Sequence, residues 1–215
     1  MNDVANKKVK QWRRKYGDYD TSHGKHRYVL DLSNHPFTEV PDLPSTVTRL
    51  WLNNTNIKTI PHIPKYLYEL NISNTNVSEL PDLSETMLHT LNIKNSGIKS
   101  LSAPLPESLQ VLHCDCEILC ELPPNLRRLY YSGNAPLPVL PDKVNILVIS
   151  DSSITKLPEP LPLWLIKLHL KSTKINKIPT ELPCLLVEFI CKNTPLPDAE
   201  INRVNDIIKQ KINKY

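Results

Sequence analysis

A frame of about fifteen residues recurs nine times along the chain, and it restricts the fold more than any other feature. In residues 67–81 it reads LYELNISNTNVSELP, or L-x-x-L-x-I-x-x-T-x-V-x-x-L-P. Leu67, Leu70 and Ile72 have the apolar spacing of a short, half-buried strand. Asn74, Thr75 and Asn76 form a turn, Val77 and Leu80 come back inward, and Pro81 closes the unit. Copies start at Arg27, Val47, Leu67, Leu88, Leu109, Leu126, Val144, Leu165 and Leu186, at steps of 20, 20, 21, 21, 17, 18, 21 and 21 residues. A unit this short cannot bury its own apolar side, so the copies must stack on one another.

Proline locates the strands independently. The chain has 20 Pro against 4 Gly, and every proline lies between Pro36 and Pro197. None falls in a six-residue strand window such as 47–52 or 165–170. Proline removes a ladder donor and is excluded from central strands. Its clustering, as in Pro41/Pro44, Pro61/Pro64 and Pro158/Pro160/Pro162, predicts an extended, polyproline-like outer side.

The expected fold is therefore a leucine-rich-repeat solenoid, with a parallel β-sheet on the concave side, an extended, polyproline-like convex side and short helical caps at both ends. The expected organisation is 1–26 as a basic helical cap, 27–197 as nine repeats and 198–215 as a C-terminal helical cap. In the first segment Ala5, Val9, Trp12 and Tyr16 make one apolar helical stripe, and Lys7, Lys8, Lys10, Arg13, Arg14 and Lys15 carry the other face. Gly17 should stop that helix, with residues 18–24 as a loop. Residues 1–27 hold 8 Lys/Arg against 3 Asp/Glu, whereas the remainder is nearly balanced. The basic helix reads as a cap, with a basic arm for an acidic partner as the other reading. At the far end Ile201, Val204, Ile208 and Ile212 form a second stripe, with Asp198 as its N-cap.

No run of 18 apolar residues and no apolar leader segment is present. Together with five cysteines, an odd number, this predicts a cytoplasmic protein, in the host cytoplasm if it comes from a pathogen or virus. The sequons at Asn53, Asn71 and Asn76 then read as turn and strand polar residues. Thr55, Thr75 and Ser96 hold the usual turn-asparagine position and are expected to form a side-chain ladder. Repeats five and six should have cut-back outer sides, with residues 135–138 as a tightened turn. His113, Cys114, Cys116 and Cys120 have a composition that suits zinc, but successive strand side chains face opposite ways. Neither a metal site nor any other cofactor is expected.

Runs such as Leu43-Pro44-Ser45-Thr46-Val47 and Leu105-Pro106-Glu107-Ser108-Leu109, with closures Glu79-Leu80-Pro81 and Glu121-Leu122-Pro123, resemble the LPX class of leucine-rich repeats. That class is best known from bacterial effectors of the YopM and IpaH/SspH type. The resemblance covers the nine repeats and implies a helical segment before them, as in residues 2–16. Ligase-type members add a C-terminal domain with a catalytic Cys in a C-x-D motif. This chain is expected to end before such a domain, and Cys114-Asp115-Cys116 does not match the motif, so no ligase activity is expected.

No nucleophile triad, phosphate loop or carboxylate pair stands out, and the expected function is non-enzymatic. The reading is an adaptor-like or effector-like module that binds another protein through its concave face; the alternative is a structural or assembly component, such as part of a virion, that uses its edges and basic helix. A small-molecule substrate and a membrane are not expected, and nucleic acid is disfavoured. The outward strand columns place Val111, His113, Arg128, Tyr130, Ile146, Val148 and His169 in one patch, with Trp51 as a second candidate.

Overall fold

The computed structural model describes residues 3–16, 29–101, 104–119 and 121–212. Gly17, the 18–24 loop, Arg27, Ser102 and Cys120 lie outside the described residues. The chain divides into two compact units, Met1–Lys99 with Ala103–Leu109, and Ser100–Ser102 with Gln110–Tyr215. Both are leucine-rich-repeat solenoid, with parallel strands on one side and extended, proline-rich segments on the other.

The first unit opens with helix α1 (Asp3–Tyr16), followed by strands β1 (Val29–Asp31), β2 (Arg49–Trp51), β3 (Glu69–Asn71) and β4 (Thr90–Asn92). The strands pair in parallel with Leu30, Leu50, Leu70 and Leu91 in register. These leucines are buried, as are Leu32, Leu52, Ile72 and Ile93 two positions on and Phe37, Ile57, Val77 and Ile98 on the return. Burial of each such side chain is worth about 1.5–3 kcal/mol. Helix α1 buries Ala5, Val9 and Trp12. Lys8 Nζ donates to the Asp31 carbonyl at 3.0 Å, and Arg13 pairs with Asp42 at 2.7 Å. The side chain of Tyr16 is not described.

A side-chain ladder runs up this unit, but one residue before the expected position. Asn54 Nδ2 donates to Asn34 Oδ1 at 2.7 Å, Asn74 to Asn54 at 2.8 Å and Asn95 to Asn74 at 3.0 Å. All four asparagines have φ between 54° and 60°, the left-handed region that Asn tolerates better than most residues. The hydroxyls of Thr55 and Thr75 instead donate within their own turns, to the carbonyls of Leu52 and Ile72. They are buried, whereas the asparagines are exposed. A residue at positive φ swings its side chain out to meet the next turn; the residue after it points in.

The second unit contains β5 (Ser100–Leu101), β6 (Val111–Cys114), β7 (Ile118–Leu119), β8 (Arg128–Tyr131), β9 (Ile146–Ser150), β10 (Lys167–Lys171), β11 (Glu188–Lys192) and helix α2 (Asp198–Ile212). Strands β6, β8, β9, β10 and β11 form a parallel sheet in that order. Strands β5 and β7 make a separate parallel pair, so here the extended outer side is hydrogen-bonded between repeats. Neither segment contains proline, so its N–H groups can join a ladder. Elsewhere the outer prolines close turns as well as extending the chain. Leu126, Val144, Leu165 and Leu186 N–H donate to the carbonyls of Pro123, Pro141, Pro162 and Pro183 three residues back.

The short repeats five and six are held by a size exchange. Cys114 and Tyr131 are register partners at the same inward position, and both are buried. The tyrosine fills space that the small cysteine leaves. Its hydroxyl donates to the Ala135 carbonyl at 2.9 Å, with the Cys116 carbonyl at 3.2 Å. Burial, with Cys114 beside it, pushes the phenol pKa up to about 12. A Cβ on Gly133 would lie 2.5 Å from both the Cys116 carbonyl oxygen and the Tyr131 hydroxyl, so the position requires glycine. The bend here falls at residues 134–135, at the start of the turn expected over 135–138.

Helix α2 closes the last repeat. Val204 and Ile208 are buried and Ile201 half-buried; the side chain of Ile212 is not described. The Pro197 carbonyl accepts from Ile201 N–H at 3.1 Å. Pro197 is therefore the cap residue and Asp198 the first helical one, where its charge still favours the helix N-terminus. Arg203 donates to the carbonyls of Ile178 and Pro179, both at 3.1 Å, and to Glu200 at 3.0 Å.

Gly133→Ala is expected to cost about 3 kcal/mol, the upper range for overpacking, and Tyr131→Phe about 1–3 kcal/mol for carbonyls left without their donor. Urea unfolding followed by circular dichroism measures both. By the same method Arg203→Ala should lose about 1–3 kcal/mol, because two buried-edge carbonyls lose their partner.

Candidate protein-binding face

Alternation along each strand of the second unit sorts its side chains. Leu112, Leu129, Leu147 and Leu168 point into the core, as do Cys114, Tyr131, Ile149 and Leu170. The residues between them line the open face. Register puts Val111, Arg128, Ile146, Lys167 and Glu188 in one column, and His113, Tyr130, Val148, His169 and Ile190 in the next. The structure thus places seven of the eight sequence-selected residues on adjacent strands of one sheet.

Their local environments differ. The His113 and Tyr130 rings stack at a centroid distance of 4.1 Å and an interplanar angle of 5°, which presents one flat aromatic surface. Val148 and Ile146, half-buried, continue it. Arg128 is exposed, and no side-chain partner for its guanidinium is present among the described residues. His169 is not a free rim residue: its Nε2 lies 2.6 Å from Glu188 Oε1, while Lys167 Nζ lies 2.5 Å from Oε2. Hydrogen bonds from Lys167 and then His169 hold the Glu188 carboxyl below its ordinary range.

Trp51 belongs to the first unit and sits less freely than its sequence position suggests. It is half-buried, and its indole N–H donates to Glu69 Oε1 at 2.9 Å. Arg49 Nε meets the other oxygen of the same carboxylate at 3.4 Å. Within the basic arm, Lys8 and Arg13 turn toward the first repeat through Asp31 and Asp42, whereas Lys7, Lys10, Arg14 and Lys15 are exposed. Burial opposes ionisation of Asp31, yet bonds from the Ser33 hydroxyl and N–H, with Lys8 nearby, hold its carboxyl below the usual value.

His113 lies on the open face while Cys114 and Cys116 are buried, so imidazole and thiols do not converge. Cys191 is half-buried and Cys184 exposed. Among the described residues no helix is long and apolar enough to cross a membrane. The sequence reading passed over Leu163, Trp164 and Leu185, which are large, apolar and exposed. The signal was available: they are the central residues of turns whose counterparts in most other repeats are polar.

No protein-family model matches the chain, and no curated protein matches it in sequence. Solved structures do. YopM of Yersinia enterocolitica matches at 26% identity with a TM-score of 0.64, over 78% of this chain and 42% of its own. It is a leucine-rich-repeat protein similar to the YopM-type effectors. The leucine-rich-repeat domain of a Shigella effector matches at 21% identity and a TM-score of 0.60, over 94% of this chain and 80% of its own. A leucine-rich-repeat protein of Leptospira interrogans matches at 19% identity and a TM-score of 0.67, over 84% of this chain and 53% of its own. The last two likenesses concern the fold alone. The leucine-rich-repeat chain spans less than half the length of the Yersinia enterocolitica protein it matches.

The Glu188 cluster makes a pH prediction. A carboxyl whose folded pKa is depressed contributes stability that is full above its unfolded pKa and is lost as pH falls through the folded value. In Lys167→Ala the Glu188 carboxyl should therefore titrate at a higher pH than in the wild type. Carboxyl-carbon NMR titration reads this directly; an unchanged midpoint would show that Lys167 does not hold the carboxylate.

Proposed function

We propose that this chain is a non-enzymatic interaction module, effector-like in its repeats, which binds another protein through the concave strand face of its second unit. The observation that carries the reading is the continuous patch formed by the stacked His113–Tyr130 pair, the flanking Val111, Ile146 and Val148, and an exposed Arg128 without an acidic partner among the described residues. Aromatic and arginine anchors with apolar surroundings are the usual composition of an interface hot spot. Repeat solenoids act through extended surfaces of this kind. The likeness to the Yersinia enterocolitica effector supports the same class. His169, tied to Glu188, forms the polar rim. The free thiols of Cys114, Cys116, Cys184 and Cys191 suit action in a reducing cytoplasm.

The partner is another protein rather than a small molecule, a membrane or nucleic acid. Outside residues 1–27 the acidic and basic residues nearly balance, and a nucleic-acid footprint needs a broad basic surface. The exposed part of α1, with Lys7, Lys10 and Arg14, is the competing contact under an assembly role.

Tyr130→Ala combined with Arg128→Ala should lower affinity for a partner recovered from cell extract by about thirtyfold, since truncating central anchors costs roughly 2 kcal/mol or more. Isothermal titration calorimetry on a variant with an unchanged melting curve tests this. Undiminished binding, with loss on replacing Lys7, Lys10 and Arg14, would transfer the site to α1.

A further inference from the structure

The open face of the second unit is unevenly charged. Lys167 and His169 share one carboxylate there, that of Glu188. Three other cations on the same face have no such partner. Arg128 opens β8, and Lys171 and Lys192 close β10 and β11. All three are exposed, and none makes an ion pair among the described residues. Alternation along the strands turns each of them outward, with Tyr130, His169 and Ile190.

Lys171 and Lys192 are register partners, so two ammonium groups rise from neighbouring strands about 4.8 Å apart. Like charges set opposite one another on a sheet destabilise it, and no carboxylate among the described residues of the face relieves these two. Glu188 is already held by Lys167 and His169. Asp115 follows β6, three strands from Lys171. Asp151, with φ 53°, leaves the sheet in the turn after β9 and makes no ion pair with either lysine. Between Arg128 and the lysines runs a row of register partners, Tyr130, Val148, His169 and Ile190. Its apolar surface comes from the tyrosine, the valine and Ile190, which is 40% exposed.

We propose that the partner meets this face with an acid-bracketed apolar segment. Its central apolar side chains lie on Tyr130, Val148 and Ile190. A carboxylate at one end meets Arg128, and one at the other end sits between Lys171 and Lys192. The inference rests on the concave-face reading and adds the chemistry of what is bound. Charge complementarity selects the occupant: the face leaves three cations without carboxylates, and a partner that supplies the carboxylates removes the repulsion between the paired lysines. A second copy of the chain does not fit. In a two-fold pair the same patch meets itself, which would set cations against cations. Geometry fixes the spacing. From Arg128 to Lys192 is three strand steps of about 4.8 Å and four residues of about 3.3 Å, a diagonal of roughly 20 Å, or about six residues of extended chain. The segment therefore places acidic residues about six positions apart, with Trp, Phe, Leu or Ile between them.

The full-length chain is immobilised and panned against a phage-displayed random dodecapeptide library. The expected result is enrichment of peptides with two acidic residues five to seven positions apart around a bulky apolar one. In fluorescence anisotropy, a synthetic copy of the most enriched peptide should bind the Lys171→Ala/Lys192→Ala variant about tenfold more weakly and with less salt dependence. Tyr130→Ala should weaken it as well. Lys171→Glu/Lys192→Glu should abolish binding, and a peptide whose acidic residue on that side is replaced by Lys should restore it. Enrichment without acidic residues, or affinity that depends on Tyr130 but not on the two lysines, would overturn the bracketing and leave the concave-face reading standing. Affinity indifferent to Tyr130 and to both lysines would overturn the two readings together. No enrichment would overturn the proposal. Lysine-dependent binding of phosphatidylserine vesicles or of a single-stranded oligonucleotide in place of peptide would overturn it in favour of a lipid surface or a nucleic acid.

Discussion

Backbone pairing between consecutive repeats is the constraint on which each unit depends. The paired strands are only two to five residues long, and a strand of that size is not stable alone. Each strand is held only because its neighbour supplies the other half of a parallel ladder and the other wall around its leucines. Loss of either element releases the next, so stability is shared along the stack rather than stored in any repeat. The ends face the same problem with one neighbour missing. At one end α1 uses Trp12 and Lys8; at the other α2 uses Val204 and Arg203. In each case an apolar stripe covers side chains, while a cation bonds backbone carbonyls of the adjoining repeat.

The apolar frame and the proline pattern made the strands legible, because both follow from the ladder: leucine where a side chain must face in, and no proline where an N–H must donate. Side-chain roles within the turns were less legible. The Asn34 column and the Thr55 column differ by one residue, and both are polar. Only the backbone conformation, positive φ at Asn34, Asn54, Asn74 and Asn95, decides which of them reaches the next repeat. The sequence likewise marked repeats five and six as short without indicating how the space would be filled. That required the pairing of Cys114 with Tyr131, a relation between two strands.

The open face shows the same limit. Alternation correctly placed Tyr130 and His113 outward on neighbouring strands, and contact between their rings follows from register. Trp51 and His169 look free in a column of letters, yet each is engaged by a carboxylate on the adjacent strand, Glu69 and Glu188. An acidic residue one column away on the next strand is close in space and about twenty positions distant in sequence. The turn tips at Leu163 and Trp164 escaped notice for the opposite reason: an apolar residue beside a leucine frame is easily assigned to the core.

The asparagine ladder has a consequence for how such a chain can change in length. Each rung of Asn34, Asn54, Asn74 and Asn95 is equivalent to the next, so a whole repeat of twenty or twenty-one residues copied into this region would find its donor and acceptor already waiting. Growth or shrinkage there by unequal recombination keeps every bond type intact. The Cys114–Tyr131 exchange has no such freedom: duplicating either repeat by itself would set two phenols or two small thiols side by side, leaving a clash or a void. The first unit is thus built from interchangeable parts, whereas these two repeats of the second can be inherited only as a pair.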